Sequence, residues 1–202
     1  YQPSRGLGDV YKRQNKRRKI RTKPPITKDT IDLLDSTVFT KRICLGITNG
    51  FLDFLGISCP FLIRFKLLMR KLHEGSNTSL NYDDKIPDDQ INAWKSLIIE
   101  AVQSSSLCFP RSIRPPGAIG LPLVIAVCDG ALPAYAACVY IQGQVPCSHG
   151  LGQCEHYFDA NLLWAKARVT PLSGYTVPRS ELSSNVLMSR MAKTTVKALQ
   201  GE

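Results

Sequence analysis

Three apolar runs crowd the second half of the chain, Leu121 to Cys128, Ala134 to Ile141 and Leu162 to Val169, and a long patterned segment follows them. The first run is dense in β-branched residues and reads as a buried strand; the other two are further strands. Pro178 to Leu199 then reads as a helix with proline in its first turn, where a missing N–H costs nothing. Its apolar stripe is Leu182, Val186, Leu187, Met191 and Val196. The order strand, strand, strand, helix sets the architecture of everything beyond Ser104.

Upstream the periodicity changes. Residues 40 to 74 carry Ile43, Ile47, Phe51, Leu62, Phe65, Leu68, Met69 and Leu72 at helical spacing, which predicts two packed helices with a turn at Gly56 and Pro60 opening the second. A third helix is expected from about Pro87 to Gln103, with Asp83 and Asp84 near its positive N-terminus and Ile91, Trp94, Leu97, Ile98 and Ala101 on one face. Arg114-Pro115-Pro116-Gly117 is a turn-rich link to the strands. The fold class is therefore α+β, a helical unit over residues 38–105 followed by a strand-rich unit over residues 106–202.

Composition removes several function classes. With 44% apolar residues in 202, disorder along the whole length is excluded. The best candidate membrane stretch, Ile43 to Ile63, is broken by Asn49, Asp53, Pro60 and three glycines, so no membrane span is expected. The first 23 residues lack the apolar core of a secretory signal. Seven cysteines, an odd number without tight pairing, point to a reducing, intracellular compartment and to thiols used as small core residues. Net charge is +10, yet residues 1–23 hold nine Lys and Arg against one Asp, and residues 24–202 hold seventeen against fifteen acids. The basic linker within residues 15–37 is either a phosphate-binding or nuclear-import arm or a solvated tether.

Two acids stand out for chemistry. Asp129 follows directly on the first strand, and Glu181 lies in the first turns of the last helix. A carboxylate at a strand end with another on the adjoining helix suits Mg²⁺, a hard cation that prefers oxygen donors, and two-metal phosphodiester hydrolysis needs such carboxylates. The ordinary alternative for Asp129 is a turn or cap residue. Tyr82-Asp83-Asp84 lacks the spacer and apolar flanks of a polymerase palm motif. Cys147, His149, Cys154 and His156 have zinc-ligand chemistry at a spacing that matches no common zinc module, and a polar connection between strands is expected there.

Ordered blocks across residues 38–199 carry a family resemblance. Thr40-Lys41-Arg42, Leu52-Asp53-Phe54-Leu55-Gly56 through Pro60, and Ile63-Arg64 with Lys66 resemble the T-K-R, F-D-P-L-G-L-L-S-P and I-R-x-K motifs of the Pol polyprotein of BEL/Pao-type LTR retrotransposons. Tyr82-Asp83-Asp84 with Ile86-Pro87 is similar to its W-D-x-P-L-P segment. Val127-Cys128-Asp129, Ala134 to Tyr140, Ala165 to Leu172 and Val177 to Leu182 resemble its C-D-A-S, A-Y-G-A-V-V-Y, A-K-S-R-V-A-P-L and I-P-R-L-E-L blocks.

The resemblance implies a thumb-like helical module of a reverse transcriptase and the start of a ribonuclease H domain. By the matching blocks, Asp129 and Glu181 would be the first two acidic Mg²⁺ ligands, with the remaining acids beyond Glu202. The partners implied are an RNA–DNA hybrid, tracked by Arg64, Lys66, Arg70 and Lys71, and neighbouring polyprotein domains, in the cytoplasm or nucleus. The alternative is a non-catalytic connection module that binds nucleic acid. Two departures are visible: Phe54 stands where the family has proline, and Gly130-Ala131 replaces the Ala-Ser after the aspartate. No Asp-Thr-Gly or Asp-Ser-Gly protease signature is present. Ser4 to Gln14 resembles a translated sequencing adapter, so residues 1–14 are expected to lie outside the natural protein, and the chain to be a fragment.

Overall fold

A computed structural model of the protein describes residues 19–21, 28–50, 53–74, 79–104, 108–110, 112–146 and 156–200. The elements in chain order are β1 (Lys19–Arg21), α1 (Lys28–Asp32), α2 (Lys41–Gly50), α3 (Cys59–Lys71), α4 (Asp88–Gln103), β2 (Cys108–Pro110), β3 (Ile119–Gly130), β4 (Ala134–Pro146), β5 (His156–Val169) and α5 (Val177–Gln200). The α+β class and the strand, strand, strand, helix order of the second unit hold. The expected adapter segment, residues 1–14, lies outside the described residues. Among the described residues, no helix is long and apolar enough to cross a membrane.

Three helices build the first core. All five residues of the expected α4 stripe are buried, and Trp94 packs on Phe65 with ring centroids 5.6 Å apart. On α2 the buried positions are Lys41, Cys44 and Thr48, with Ile43 and Ile47 partly buried. Thr48 is accommodated because its hydroxyl donates to the Cys44 carbonyl at 2.9 Å. Pro60 stands in the first turn of α3, as its missing N–H allows. The stop before α3 does not rest on a proline. Asp53 accepts the Ile57 and Ser58 N–H groups at 2.9 and 2.6 Å, Gly56 turns the chain at φ +72°, and Phe54 points into solvent, 89% exposed. Asp83 and Asp84 precede α4 and bond to other partners. Asp83 is held by a two-pronged ion pair with Arg42 at 2.7 and 2.9 Å, and Asp88 and Asp89 occupy the first turn instead.

The second core lies between one sheet and one helix. Strands β3, β4 and β5 form an antiparallel sheet with β4 in the middle, and α5 crosses β3 and β4. Ala137, Val139, Leu187 and Met191 are its buried centre, with Val124, Ala126, Cys128, Leu163 and Trp164 around them. The expected burial of β3 is corrected. Leu121 is 95% exposed and Leu123 58%, because β3 is an edge strand of the described sheet and its first half lies outside the cover of α5.

The α5 stripe is corrected too. Leu182, Val186 and Val196 are exposed, and Ser180, Ser184 and Thr195 take buried places beside Leu187 and Met191. Small hydroxyl residues let the helix sit close to the strands, and their polar groups are satisfied: Ser180 Oγ donates to Ala131 O and Ser184 Oγ to Glu181 O, both at 2.7 Å. Part of the basic segment is not a free tether either, since Lys19–Arg21 pairs antiparallel with Cys108–Pro110.

Among the described residues, both ends of α3 are tied to the second unit. A Cβ on Gly56 would lie 1.8 Å from the Ala165 carbonyl oxygen, and the Ala165 N–H donates to Leu55 O at 2.8 Å, so the loop before α3 rests on β5. Arg70, at the other end of α3, reaches the turns after β3 and β5.

Candidate functional site

Asp129 is the next-to-last residue of β3, paired with Ala136, and its Oδ1 accepts the Gly130 N–H at 2.8 Å. Glu181 lies just beyond the first turn of α5. Gly130 brings the two together: a Cβ there would meet the Ser180 carbonyl carbon at 2.5 Å and the Glu181 nitrogen at 2.6 Å. Only a residue without a side chain lets the end of β3 approach the helix this closely. The departure from Ala to Gly at position 130 therefore coincides with a tight strand–helix contact.

The two carboxylates do not meet inside the sheet–helix interface. Alternation along β3 puts Cys128 on the helix side, where its thiol bonds Asn185 Oδ1 at 3.4 Å, and turns Asp129 to the other face. Both acids are exposed, and the path between them runs round the end of the strand past Gly130. Asp129 also ends an edge strand of the described sheet, not a central one. Among the described residues, no cluster of three or more His, Cys, Asp or Glu is placed to hold a metal. Of the zinc-type residues only His156 is described, as the first residue of β5 opposite Pro146; Cys147, His149 and Cys154 lie outside the described residues.

Three of the four basic candidates line one cleft. A space of about 740 Å³ opens between α3, α4, the Leu132–Pro133 turn that follows Asp129, and the loop before α5; Arg64, Arg70 and Lys71 are on its wall. Lys66 is not on this wall; near it, burial and then the Asp53 charge hold the Cys59 thiol above its ordinary value, which the Lys66 ammonium only partly offsets. Arg64 is held in a forked ion pair with Glu100, half exposed on both sides. The hydrogen bond from Arg64 keeps the Glu100 carboxyl below its usual range. Arg70 faces inward. Its Nε donates to Glu74 at 2.7 Å and its Nη1 to the Thr170 carbonyl and hydroxyl at 3.0 and 3.1 Å, with its side chain 20% exposed. Arg70 thus fastens α3 to the end of β5, a role that a reading of charge alone misses.

The acids of the palm-like triplet are structural. Asp83 is bound to Arg42, whose hydrogen bond lowers its pKa, and Asp84 accepts the Asn81 N–H at 2.8 Å. Residues 40–202 match the family model described as Pao retrotransposon-like RNaseH-like domain. No curated protein and no solved structure matches the chain.

Proposed function

The chain belongs to the Pao retrotransposon-like RNaseH-like domain family, and on that premise we propose that it serves cleavage of the RNA strand of RNA–DNA hybrids within a retrotransposon Pol polyprotein. The observation that carries the reading is the Gly130 contact, which joins the Asp129 strand end to the Glu181 helix turn. Both side chains are exposed oxygen donors, the chemistry Mg²⁺ takes. Asp129 and Glu181 would hold the ion only at the open end of β3, each carboxylate reaching round Gly130 from its own side of the strand. When bound, a divalent cation there supplies charge stabilisation at the scissile phosphate and lowers the pKa of the attacking water. In support of this reading, Asp129 Oδ1 accepts the Gly130 N–H, which restricts rotation of the carboxylate. Arg64 and Lys71 on the neighbouring cleft wall contact the backbone of the hybrid, adding a salt-dependent component to its binding.

A second reading, a non-catalytic module that binds nucleic acid or neighbouring polyprotein domains, is favoured by one observation: no third acid joins the pair among the described residues. Calorimetric titration with Mg²⁺ and cleavage of a labelled RNA strand in a hybrid separate the two. The chain is expected to bind Mg²⁺ weakly, to lose that binding in Asp129→Asn and in Glu181→Gln, and to cleave at background, since two carboxylates offset little of the cost of dehydrating this ion. Mg²⁺ affinity unchanged in both variants refutes the ligand assignment. Cleavage that vanishes in Asp129→Asn refutes the claim that this pair alone is insufficient.

A further inference from the structure

Helix α5 presents two chemically opposite flanks on either side of its buried face. Glu181 and Asn185 look toward β3. Arg190 is nine residues from Glu181, about two and a half turns, and so lies on the opposite side of the helix. Val186, Lys193 and Lys197 share its flank at spacings of four, three and seven residues. That flank runs beside β5, whose even-numbered positions on the helix side are Trp164, Lys166 and Arg168. Between them is a groove of about 340 Å³, lined by Tyr135, Trp164, Lys166, Arg168 and Arg190 among others, with no carboxylate in its lining. Lys166, Arg168 and Arg190 are exposed, and among the described residues none of their three cationic side-chain groups has an ion pair or a hydrogen-bond partner. Trp164 is fixed in the wall because its indole N–H donates to Thr195 Oγ1 at 3.1 Å.

We propose that this groove binds a single strand of nucleic acid, at a site separate from the Asp129–Glu181 pair and on the opposite flank of α5. Unpaired cations on both walls match a polyanion. Lys166 and Arg168 are two residues apart on one strand face, roughly 6.6 Å, about twice the ~3.4 Å axial spacing of phosphates along a stacked strand. Because the backbone of a stacked strand winds about its axis, neighbouring phosphates lie farther apart than the axial rise, and the two side chains therefore reach successive phosphates of one strand. Trp164 and Tyr135, partly buried against the second core, leave their remaining exposed surface in the groove wall, and a basic track beside aromatic side chains is the combination that holds single strands without reading sequence. A duplex, with its bases already stacked inside, has no base face to give them. An acidic peptide satisfies the cations but leaves the rings without a planar partner.

The test is fluorescence anisotropy of labelled oligo-dT and oligo-rU with the full chain over a range of salt concentrations. In Lys166→Gln/Arg168→Gln/Arg190→Gln the slope of log affinity against log salt is expected to fall by about 2, at ~0.7 per phosphate contact on a single strand. The native chain would then lose roughly 18-fold more affinity than the variant between 50 and 200 mM salt. The charge-conserving Lys166→Arg/Arg190→Lys variant keeps the native slope. A loss confined to one of the two oligonucleotides names that strand as the occupant. Photocrosslinks are expected at Tyr135 or Trp164. An unchanged slope in a folded triple variant, crosslinks only within residues 15–23, or displacement by polyglutamate as effective as by an oligonucleotide of equal charge overturns the proposal.

Discussion

Gly56→Ala is expected to loosen the junction between the helical unit and the sheet. The glycine has φ +72°, a left-handed conformation that costs an L-residue roughly 1–2 kcal/mol. The new Cβ would lie 1.8 Å from the Ala165 oxygen, 2.4 Å from its carbonyl carbon and 2.9 Å from its Cα. All three are backbone atoms of a paired strand and cannot swing away. Relief requires the loop to retreat by about 1.5 Å or more, and such a move breaks the 2.8 Å bond from Ala165 N–H to Leu55 O. Overpacking costs ~1–3 kcal/mol and a lost hydrogen bond ~1 kcal/mol, but these overlap, because the retreat that breaks the bond also relieves the clash. The expected loss is about 3 kcal/mol, or roughly 6–12 °C in Tm for a chain of this size. Thermal unfolding followed by circular dichroism measures it, and hydrogen exchange should show the Ala165 amide losing protection. The matched control is Gly46→Ala on α2, where nothing lies within 4 Å of the added carbon and the helix should gain about 0.5–1 kcal/mol. If Gly56→Ala melts within a degree or two of the native chain, the described seating of this loop on β5 is wrong.

Arg70→Ala should lower stability by about 2 kcal/mol, since charge-assisted bonds to Thr170 and Glu74 are lost and the Thr170 carbonyl loses a donor. The salt slope of nucleic-acid binding should stay unchanged, and a changed slope at native stability would return Arg70 to the binding surface. Burial pushes the Cys44 thiol from an ordinary value of 9.0 up to about 12. A folded pKa above the unfolded one means that unfolding releases a proton over this window. The contribution of this group is therefore full below about pH 9 and is lost, at ~1.4 kcal/mol per pH unit, as pH rises toward 12. The stability advantage of the native chain over Cys44→Ala, measured by urea unfolding at about pH 8 and about pH 10, should shrink; an advantage that grows with pH refutes the assignment.

What could be read in advance followed from the simplest signals. The α4 stripe from Ile91 to Ala101 is apolar at helical spacing and faces one core, so periodicity alone locates it. The same rule failed on α5, because it counts apolar side chains and the closest helix–sheet contact is made by serines. Ser180 and Ser184 are buried for being small and locally hydrogen-bonded, while Leu182 and Val186 extend along an open flank. The exposed half of β3 departs from its apolar composition for a related reason: a strand's composition does not say whether a neighbour covers it. Asp129 and Glu181 were legible as a pair through their order along the chain, but the contact that joins them is made by Gly130, which carries no side chain and so leaves no chemical signal. The basic groove has no signature in any single element, because its cations are divided between β5 and α5, each carrying too few charges to stand out. Lys166-x-Arg168 on one strand face, read against Arg190, Lys193 and Lys197 on one helix flank, was the pattern available.

The division of α5 into acidic and basic flanks restricts how the proposed sites can work together. An α-helix with its side chains is about 10–12 Å across, so a backbone held against Arg190 and Lys166 lies on the far side of the helix from the Glu181 carboxylate. The same nucleotide cannot occupy both. A strand in the groove is therefore either the continuation of the cleaved strand, several nucleotides away, or a different strand held apart from it. Length separates these cases without altering the protein. If the groove holds a continuation, an RNA strand extended past the hybrid should bind more tightly than the blunt hybrid, and the gain should vanish in the Lys166→Gln/Arg168→Gln/Arg190→Gln variant. If it holds a separate strand, the extension adds nothing and a free oligonucleotide binds alongside the hybrid without competing.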